Sequence, residues 1–204
     1  MMDRLTALAV IDEVVGTDPL VVTCGATSRE LAHHHGRDNH LYLLDSMGLS
    51  AAVGLGIALA GDHPVWAIEG DGSLLMGLNA LPTLGANAPA TYTLIVLDNH
   101  QHASADKMPT QAEHVRIADL TAAAGLKTAV STDPDRLREA LLNARSAEGP
   151  SAVVARIAGG NAPNIPWLLD DPAAIANRFR QNVLLQQRNS AAPPTGRDGH
   201  AEVL

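Results

Sequence analysis

Apolar residues along this chain fall into short runs closed by glycine and polar clusters, and between the runs they recur at three- and four-residue intervals. Trp66-Ala67-Ile68 is one such run and predicts a buried strand. It ends at Gly70-Asp71-Gly72-Ser73, after which Leu74, Leu75, Leu78, Leu81 and Leu84 predict one continuous helix. A second run, Thr93 to Leu97, stops at Asp98-Asn99. Upstream, residues 2–15 predict a helix with Leu5, Leu8, Ile11 and Val15 on one face. Leu20-Val21-Val22 predicts a strand closed by Thr23-Cys24-Gly25-Ala26-Thr27, with a helix opening at Ser28. Further strands are expected at Leu41 to Leu44, Leu126 to Val130 and Ala152 to Ile157. Helices are expected over 49–60, over 115–124, from Pro134 to Ser146 behind Asp133, and from the cap Asp170-Asp171-Pro172 to about Gln186. Alternating strands and helices predict an α/β fold, a largely parallel sheet with helices on both faces. Residues 1–188 read as one domain and 189–204 as a disordered tail.

Composition sharpens this picture. The 204 residues are 46% hydrophobic but only 2% aromatic, so the core must be aliphatic and alanine-rich. No apolar run is both long and charge-free enough to span a membrane, and the first residues lack a secretory signal pattern. The single Cys24 permits no internal disulfide and fits a reducing, cytoplasmic setting. A formal charge of -8 argues against a nucleic-acid partner. It leaves an anionic small substrate open.

The turn at Gly70 carries the most specific chemistry. Gly70 and Gly72 permit a sharp turn and close approach of backbone to a ligand. A helix starting near Ser73 offers unpaired N–H groups and a positive dipole end to an anion. Asp71 would repel a bare phosphate there, and a divalent cation resolves the conflict. Asn99, twenty-eight positions after Asp71, can add an amide oxygen, and the Gln101 carbonyl is a third candidate ligand. An ordinary strand–helix turn with an acidic first residue yields the same Gly-Asp-Gly. The Cys24-Gly25-Ala26 turn can present a second set of N–H groups, with Cys24 as a small turn residue. His33, His34 and His35 are consecutive and so do not share a helix face. With His40 following, they predict a solvated helix end. Gly54 and Gly56 in an apolar helix predict close packing of another element. In the polar loop after Asn99, His102 and Lys107 can meet an acidic substrate or donate a proton, or serve only as loop residues.

Four stretches together, CGATSREL, LYLLDSMGLSAAVGLGIALA, IEGDGSLLMGLNAL and VLDNHQH, resemble the diphosphate–Mg²⁺ half of thiamine diphosphate (ThDP) enzymes over most of residues 20–180. Within that superfamily the chain is similar to the beta subunit of sulfopyruvate decarboxylase and the C-terminal domain of phosphonopyruvate decarboxylase. The late PNIP and DDPAAIANRF are similar to the former. The resemblance implies that residues 1–188 form the ThDP diphosphate- and Mg²⁺-binding domain. It implies cofactor contacts from Gly25, Ala26, Asp45, Ser46, Met47, Gly70, Asp71, Gly72, Ser73, Asn99 and Gln101. Asp71, Asn99 and the Gln101 carbonyl would hold Mg²⁺. Met47 would be the apolar wedge that bends the cofactor, the Asp45 carbonyl would face the aminopyrimidine, and His102 would be the second catalytic residue.

The activity so implied is decarboxylation of a small acidic 2-oxo acid, giving CO₂ and sulfoacetaldehyde from 3-sulfopyruvate, or phosphonoacetaldehyde from 3-phosphonopyruvate. The glutamate that activates the aminopyrimidine has no place in this chain, so a separate pyrimidine-binding (alpha) subunit is expected to carry it in a hetero-oligomer. Two departures stand out. Those relatives read close to H-x-S-T-G-G-Q where this chain has His102-Ala103-Ser104-Ala105-Asp106-Lys107-Met108, and they have glycine at Asp45. The alternatives are a ThDP carboligase or synthase subunit, and a regulatory subunit that binds Mg²⁺–diphosphate without turnover. A nucleotide-binding enzyme is weaker, because neither a GxxxxGK[ST] loop nor GxGxxG spacing occurs.

Overall fold

Each long strand of the central sheet sends alternate side chains to opposite faces, and each face has its own set of helices. The computed structural model describes residues 1–191. Its helices are α1 (Arg4–Val15), α2 (Ala26–His35), α3 (Ser50–Leu59), α4 (Asp71–Met76), α5 (Ala80–Asn87), α6 (Ile117–Ala123), α7 (Pro134–Arg145) and α8 (Pro172–Ala191). Its strands are β1 (Leu20–Val22), β2 (His40–Tyr42), β3 (Val65–Gly70), β4 (Tyr92–Asp98), β5 (Gln101–His102), β6 (Met108–Pro109), β7 (Lys127–Ser131) and β8 (Ser151–Arg156). Six strands form one sheet in the order β2-β1-β3-β4-β8-β7, and every pairing is parallel. Trp66, Ile68, Ile95, Leu97 and Val153 pack on one face with Leu8 and Ile11 of α1, Leu31 of α2, Leu137 of α7 and Ile175 of α8. Ala67, Leu94, Val96 and Val154 pack on the other with Leu55 of α3, Leu74 of α4, Leu84 of α5 and Ile117 of α6. The core is aliphatic apart from a few aromatic rings, chiefly Trp66 and Tyr92.

Topology places the ligand crevice. The chain leaves β1 for α2 on the first face and leaves β3 for α4 on the second. These neighbouring strands therefore part at their C-terminal ends, which opens a cleft at a topological switch point.

The helix expected across 74–84 is two helices. Gly77 ends α4, and its N–H reaches the carbonyls of Ser73 and Leu74. The break brings Gly77 against Gly48, whose φ is +79°; a Cβ on Gly77 would lie 1.9 Å from the Gly48 carbonyl oxygen. The apolar period runs straight across this break, so periodicity could not reveal it. Helix α2 begins at Ala26, two residues before the expected Ser28, with Gly25 as its cap. The loop after β4 contains the antiparallel hairpin β5–β6. Gly54 has the predicted close neighbours: a Cβ there would lie 3.0 Å from the Tyr92 ring and 3.1 Å from Ala67. Gly56 has none within 4 Å and is exposed. His33 and His34 are exposed as expected, but His40 opens β2 and is fully buried, with Nδ1 3.1 Å from the Tyr42 hydroxyl. Helix α8 runs to Ala191, beyond the expected end near Gln186, and the rest of the expected tail lies outside the described residues.

Candidate active site

A cavity of about 370 Å³ opens where the turns after β1, β2, β3 and β4 converge. Its walls include Gly25 and Ala26, Asp45 and Met47, Gly70 to Ser73, Asn99, Gln101 and His102. Of the residues singled out from the sequence as cofactor-binding or catalytic, Ser46 stands outside these walls: its hydroxyl donates to the Leu44 carbonyl, 3.0 Å away. Lys107 does not reach the walls either and sits exposed at the hairpin tip.

Asp71 is buried at the first position of α4. Its Oδ2 accepts a hydrogen bond from the Thr110 hydroxyl, which itself accepts from the Ala112 N–H at 3.3 Å. That leaves Oδ1 for a ligand. Asn99 Oδ1 accepts from the Gln101 N–H at 3.0 Å and retains a second lone pair. Among the described residues no group of three His, Cys, Asp or Glu side chains could hold a metal ion. One carboxylate with an amide and a carbonyl oxygen is instead a hard-oxygen set. It suits a small cation that keeps waters and shares phosphate oxygens. The space beside Gly70 is open, with no atom within 4 Å of a Cβ built there, so a ligand has room at the end of β3. These residues fit a Mg²⁺–diphosphate. Gly72 has a different reason: a Cβ on it would lie 2.3 Å from His102 Cε1 and 2.8 Å from Thr110. It is glycine because the hairpin packs on it.

Ser73 acts inside the protein. Its hydroxyl donates to Glu69 Oε2, accepts from the Gly48 N–H at 2.9 Å, and lies 2.9 Å from the Thr23 hydroxyl. Glu69 also accepts from the Ala51 N–H at 3.2 Å. Burial raises the pKa of Glu69, and the bond from Ser73 offsets part of that rise. This hub ties the end of β3 to the turn that carries Asp45 and Met47. Asp45 holds a φ of +54°, where glycine is favoured, and Met47 is 39% exposed at the cavity edge. Cys24 is half-buried, and burial raises its thiol pKa, which suits a turn residue better than a nucleophile. At the end of β4 burial likewise raises Asp98, although His100 Nε2 stands 3.2 Å away.

The hairpin tip matches the loop departure in detail. Asp106 and Lys107 have φ of +52° and +58°. These are the two positions that the resemblance sets against Gly-Gly. Both residues thus hold a left-handed backbone without glycine.

Sequence reasoning missed four participants. Thr110 and Glu69 act through contacts that no local motif signals. Arg4 and Trp167 are cavity walls drawn from the two ends of the described chain. Arg4 is buried and pairs with Glu30 at 2.9 Å, and Trp167 is 73% exposed beneath the Arg29 guanidinium, 4.3 Å from its ring centre. Trp167, one of two tryptophans in a chain that is 2% aromatic, was the one signal available in the sequence.

Comparison with known proteins places the family and the fold. Residues 23–155 match the thiamine pyrophosphate enzyme C-terminal TPP-binding domain. A phosphonopyruvate decarboxylase from Streptomyces viridochromogenes is 36% identical over 93% of this chain, which spans 49% of that relative. A sulfopyruvate decarboxylase subunit beta from Methanococcus maripaludis is 31% identical over 89% of this chain and 98% of its own length. The chain thus spans about half the length of the phosphonopyruvate relative and nearly all of the sulfopyruvate one. Benzoylformate decarboxylase from Polynucleobacter necessarius has the same fold, with a TM-score of 0.68 over 78% of this chain and 34% of its own. With its Gly-Asp-Gly turn, its cleft between β1 and β3 and a model match over residues 23–155, the chain belongs to the thiamine pyrophosphate enzyme C-terminal TPP-binding domain family.

Proposed function

We propose that this chain is the diphosphate-binding, beta-type subunit of a split ThDP-dependent decarboxylase. Its substrate would be a small acidic 2-oxo acid of the 3-sulfopyruvate or 3-phosphonopyruvate type, converted with uptake of one proton to an aldehyde and CO₂. The observation that carries this reading is the convergence of Gly25, Met47, Asp71, Asn99 and His102 on one cleft at the switch point. The names of the relatives support the substrate class. Bound ThDP supplies the electron sink for the bond broken as CO₂ leaves. Asp71, Asn99 and the Gln101 carbonyl would hold Mg²⁺. Backbone N–H groups at Gly25–Ala26 and Gly72–Ser73 receive the diphosphate. Met47 at the cavity edge would be the apolar wedge against the cofactor, and the His102 imidazole in the cavity wall would be the proton donor to product.

The cavity needs a second subunit to enclose it. Helix α3 carries no charged residue. Leu49, Ala52, Gly56 and Leu59 form an exposed stripe along it and, with Met76, line a groove that joins the cavity at Met47. A helix apolar on every side belongs in an interior. The partner proposed to cover it is the pyrimidine-binding (alpha) subunit that brings the activating glutamate. The free Cys24 and the absence, among the described residues, of a helix able to cross a membrane are compatible with the cytoplasm.

The altered tip favours a second reading. Asp106 and Lys107 place charge where the related loop has none, and this could redirect the reaction towards carboligation. Calorimetric titration of Mg²⁺–ThDP into the chain with and without a candidate partner tests the site. Assay of CO₂ and aldehyde from both 2-oxo acids tests the reaction. Ligated product in place of aldehyde would establish the second reading, and binding without turnover of any 2-oxo acid would point to a regulatory subunit.

A further inference from the structure

The segment after β8 was an irregular link in the sequence, yet it touches the cleft from behind. Gly159 packs on Gln101: a Cβ there would lie 2.6 Å from Gln101 Oε1. Gly160 has a φ of +111°, open to glycine alone. This turn sets Asn161 between two partners. Its Oδ1 accepts from Arg4 Nη1 at 3.2 Å, and its Nδ2 donates to the Ala103 carbonyl at 3.0 Å. The orientation is unambiguous, because a guanidinium only donates and a carbonyl only accepts.

Arg4 is itself fixed. It is buried, and it donates to Glu30 Oε1 at 2.9 Å and to the Gly160 carbonyl at 3.0 Å. Glu30 also accepts from the Ala162 N–H at 3.0 Å. A buried pair joining α1 to α2 therefore grips residues 160–162 from both sides.

The base of the hairpin packs on Gly72 and pairs His102 with Met108, but the tip at 103–107 has less to hold it. Its other hydrogen bonds, Ala105 N–H to the His102 carbonyl at 2.9 Å and Met108 N–H to the Ala105 carbonyl at 3.1 Å, are internal. Ser104 meets the β1 turn by packing near Gly25. Among the described residues, Asn161 gives the tip its hydrogen bond from a distant element.

We propose that Asn161, oriented by the Arg4–Glu30 pair, is a positioning residue that pins the Ala103 carbonyl and so sets His102 and Ser104 over the cofactor turn. The role in turnover rests on the decarboxylase reading; the pinning itself does not. Lys107 at the exposed tip provides a probe, since trypsin cleaves after it. The full-length chain, Asn161→Ala and Asn161→Asp are digested, and cleavage at Lys107 is followed by mass spectrometry relative to cleavage at the exposed Arg116. The aspartate keeps an acceptor for Arg4 but cannot donate to Ala103. Both variants should melt like wild type and be cut at Lys107 at least fivefold faster. Unchanged cleavage in both, or wild-type behaviour of Asn161→Asp, would overturn the proposal. With the partner subunit, both variants should raise KM for the 2-oxo acid about tenfold, with kcat changed less. If the wild-type complex turns over no 2-oxo acid, the functional reading fails while the cleavage ratio still decides the pinning.

Discussion

Thr110 donates its hydroxyl hydrogen to Oδ2 of Asp71 across a separation of 39 residues. The bond fixes the carboxylate rotamer and leaves Oδ1 for the Mg²⁺ proposed to bind there. Groups that orient a metal ligand in this way are commonly worth about 10- to 100-fold in metal affinity. Thr110→Val keeps the shape and removes the donor. It should weaken Mg²⁺-dependent ThDP binding about tenfold by calorimetry in the assembled complex. Asp71→Ala should abolish that binding. Equal affinity in Thr110→Val would show that Asp71 is oriented by other means.

Met47 is exposed enough in the free chain that truncation opens no buried cavity there. The cost of roughly 2–5 kcal/mol for deleting a buried side chain therefore does not apply. Met47→Ala should shift the melting temperature by no more than a degree or two and lower kcat markedly once the complex is loaded. Wild-type turnover would remove the wedge role.

His40 makes stability depend on pH. Burial lowers its pKa to about 4 from the ordinary 6.5, with Asp12 pulling the other way. The folded state therefore binds fewer protons than the unfolded state between these values. Stability is full above pH 6.5 and falls as the pH drops towards 4, by roughly 3 kcal/mol in total. Glu69 and Asp98, raised by burial, contribute with the opposite sign, so the comparison must be made at one position. His40→Gln should flatten this part of the melting-temperature profile. An unchanged difference between pH 7 and pH 4.5 would exclude His40 as the cause.

The two glycines of α3 make opposite predictions. Gly54→Val drives methyl groups into Tyr92 and Ala67 and should cost about 1–3 kcal/mol in denaturant unfolding. Gly56→Ala meets nothing and should stabilise the free chain by about 0.5–1 kcal/mol through helix propensity. Leu59→Arg should leave the free chain's melting temperature intact and prevent assembly with the partner, as read by sedimentation.

Much of this was legible in the sequence because the relevant physics is local. The period-2 and period-3.6 patterns mark strands and helices one segment at a time, and Gly70-Asp71-Gly72 follows its strand directly. The break at Gly77 was invisible, because leucines on both sides keep the same period while its cause, Gly48, lies on another turn. The hairpin was invisible because its strands are two residues long. Thr110, Glu69 and the Arg4–Glu30 pair act through tertiary contacts that no pattern encodes. His40 looked like a continuation of a solvated histidine run; it is the first residue of an interior strand.

The uncharged stripe along α3 also bears on the life of the chain before assembly. A freshly made copy carries an adhesive apolar surface from Leu49 to Leu59 until something covers it. Until then it competes for chaperones and invites self-association and proteolysis. If the proposed alpha subunit is what covers it, the cell's level of this protein should follow that of the subunit.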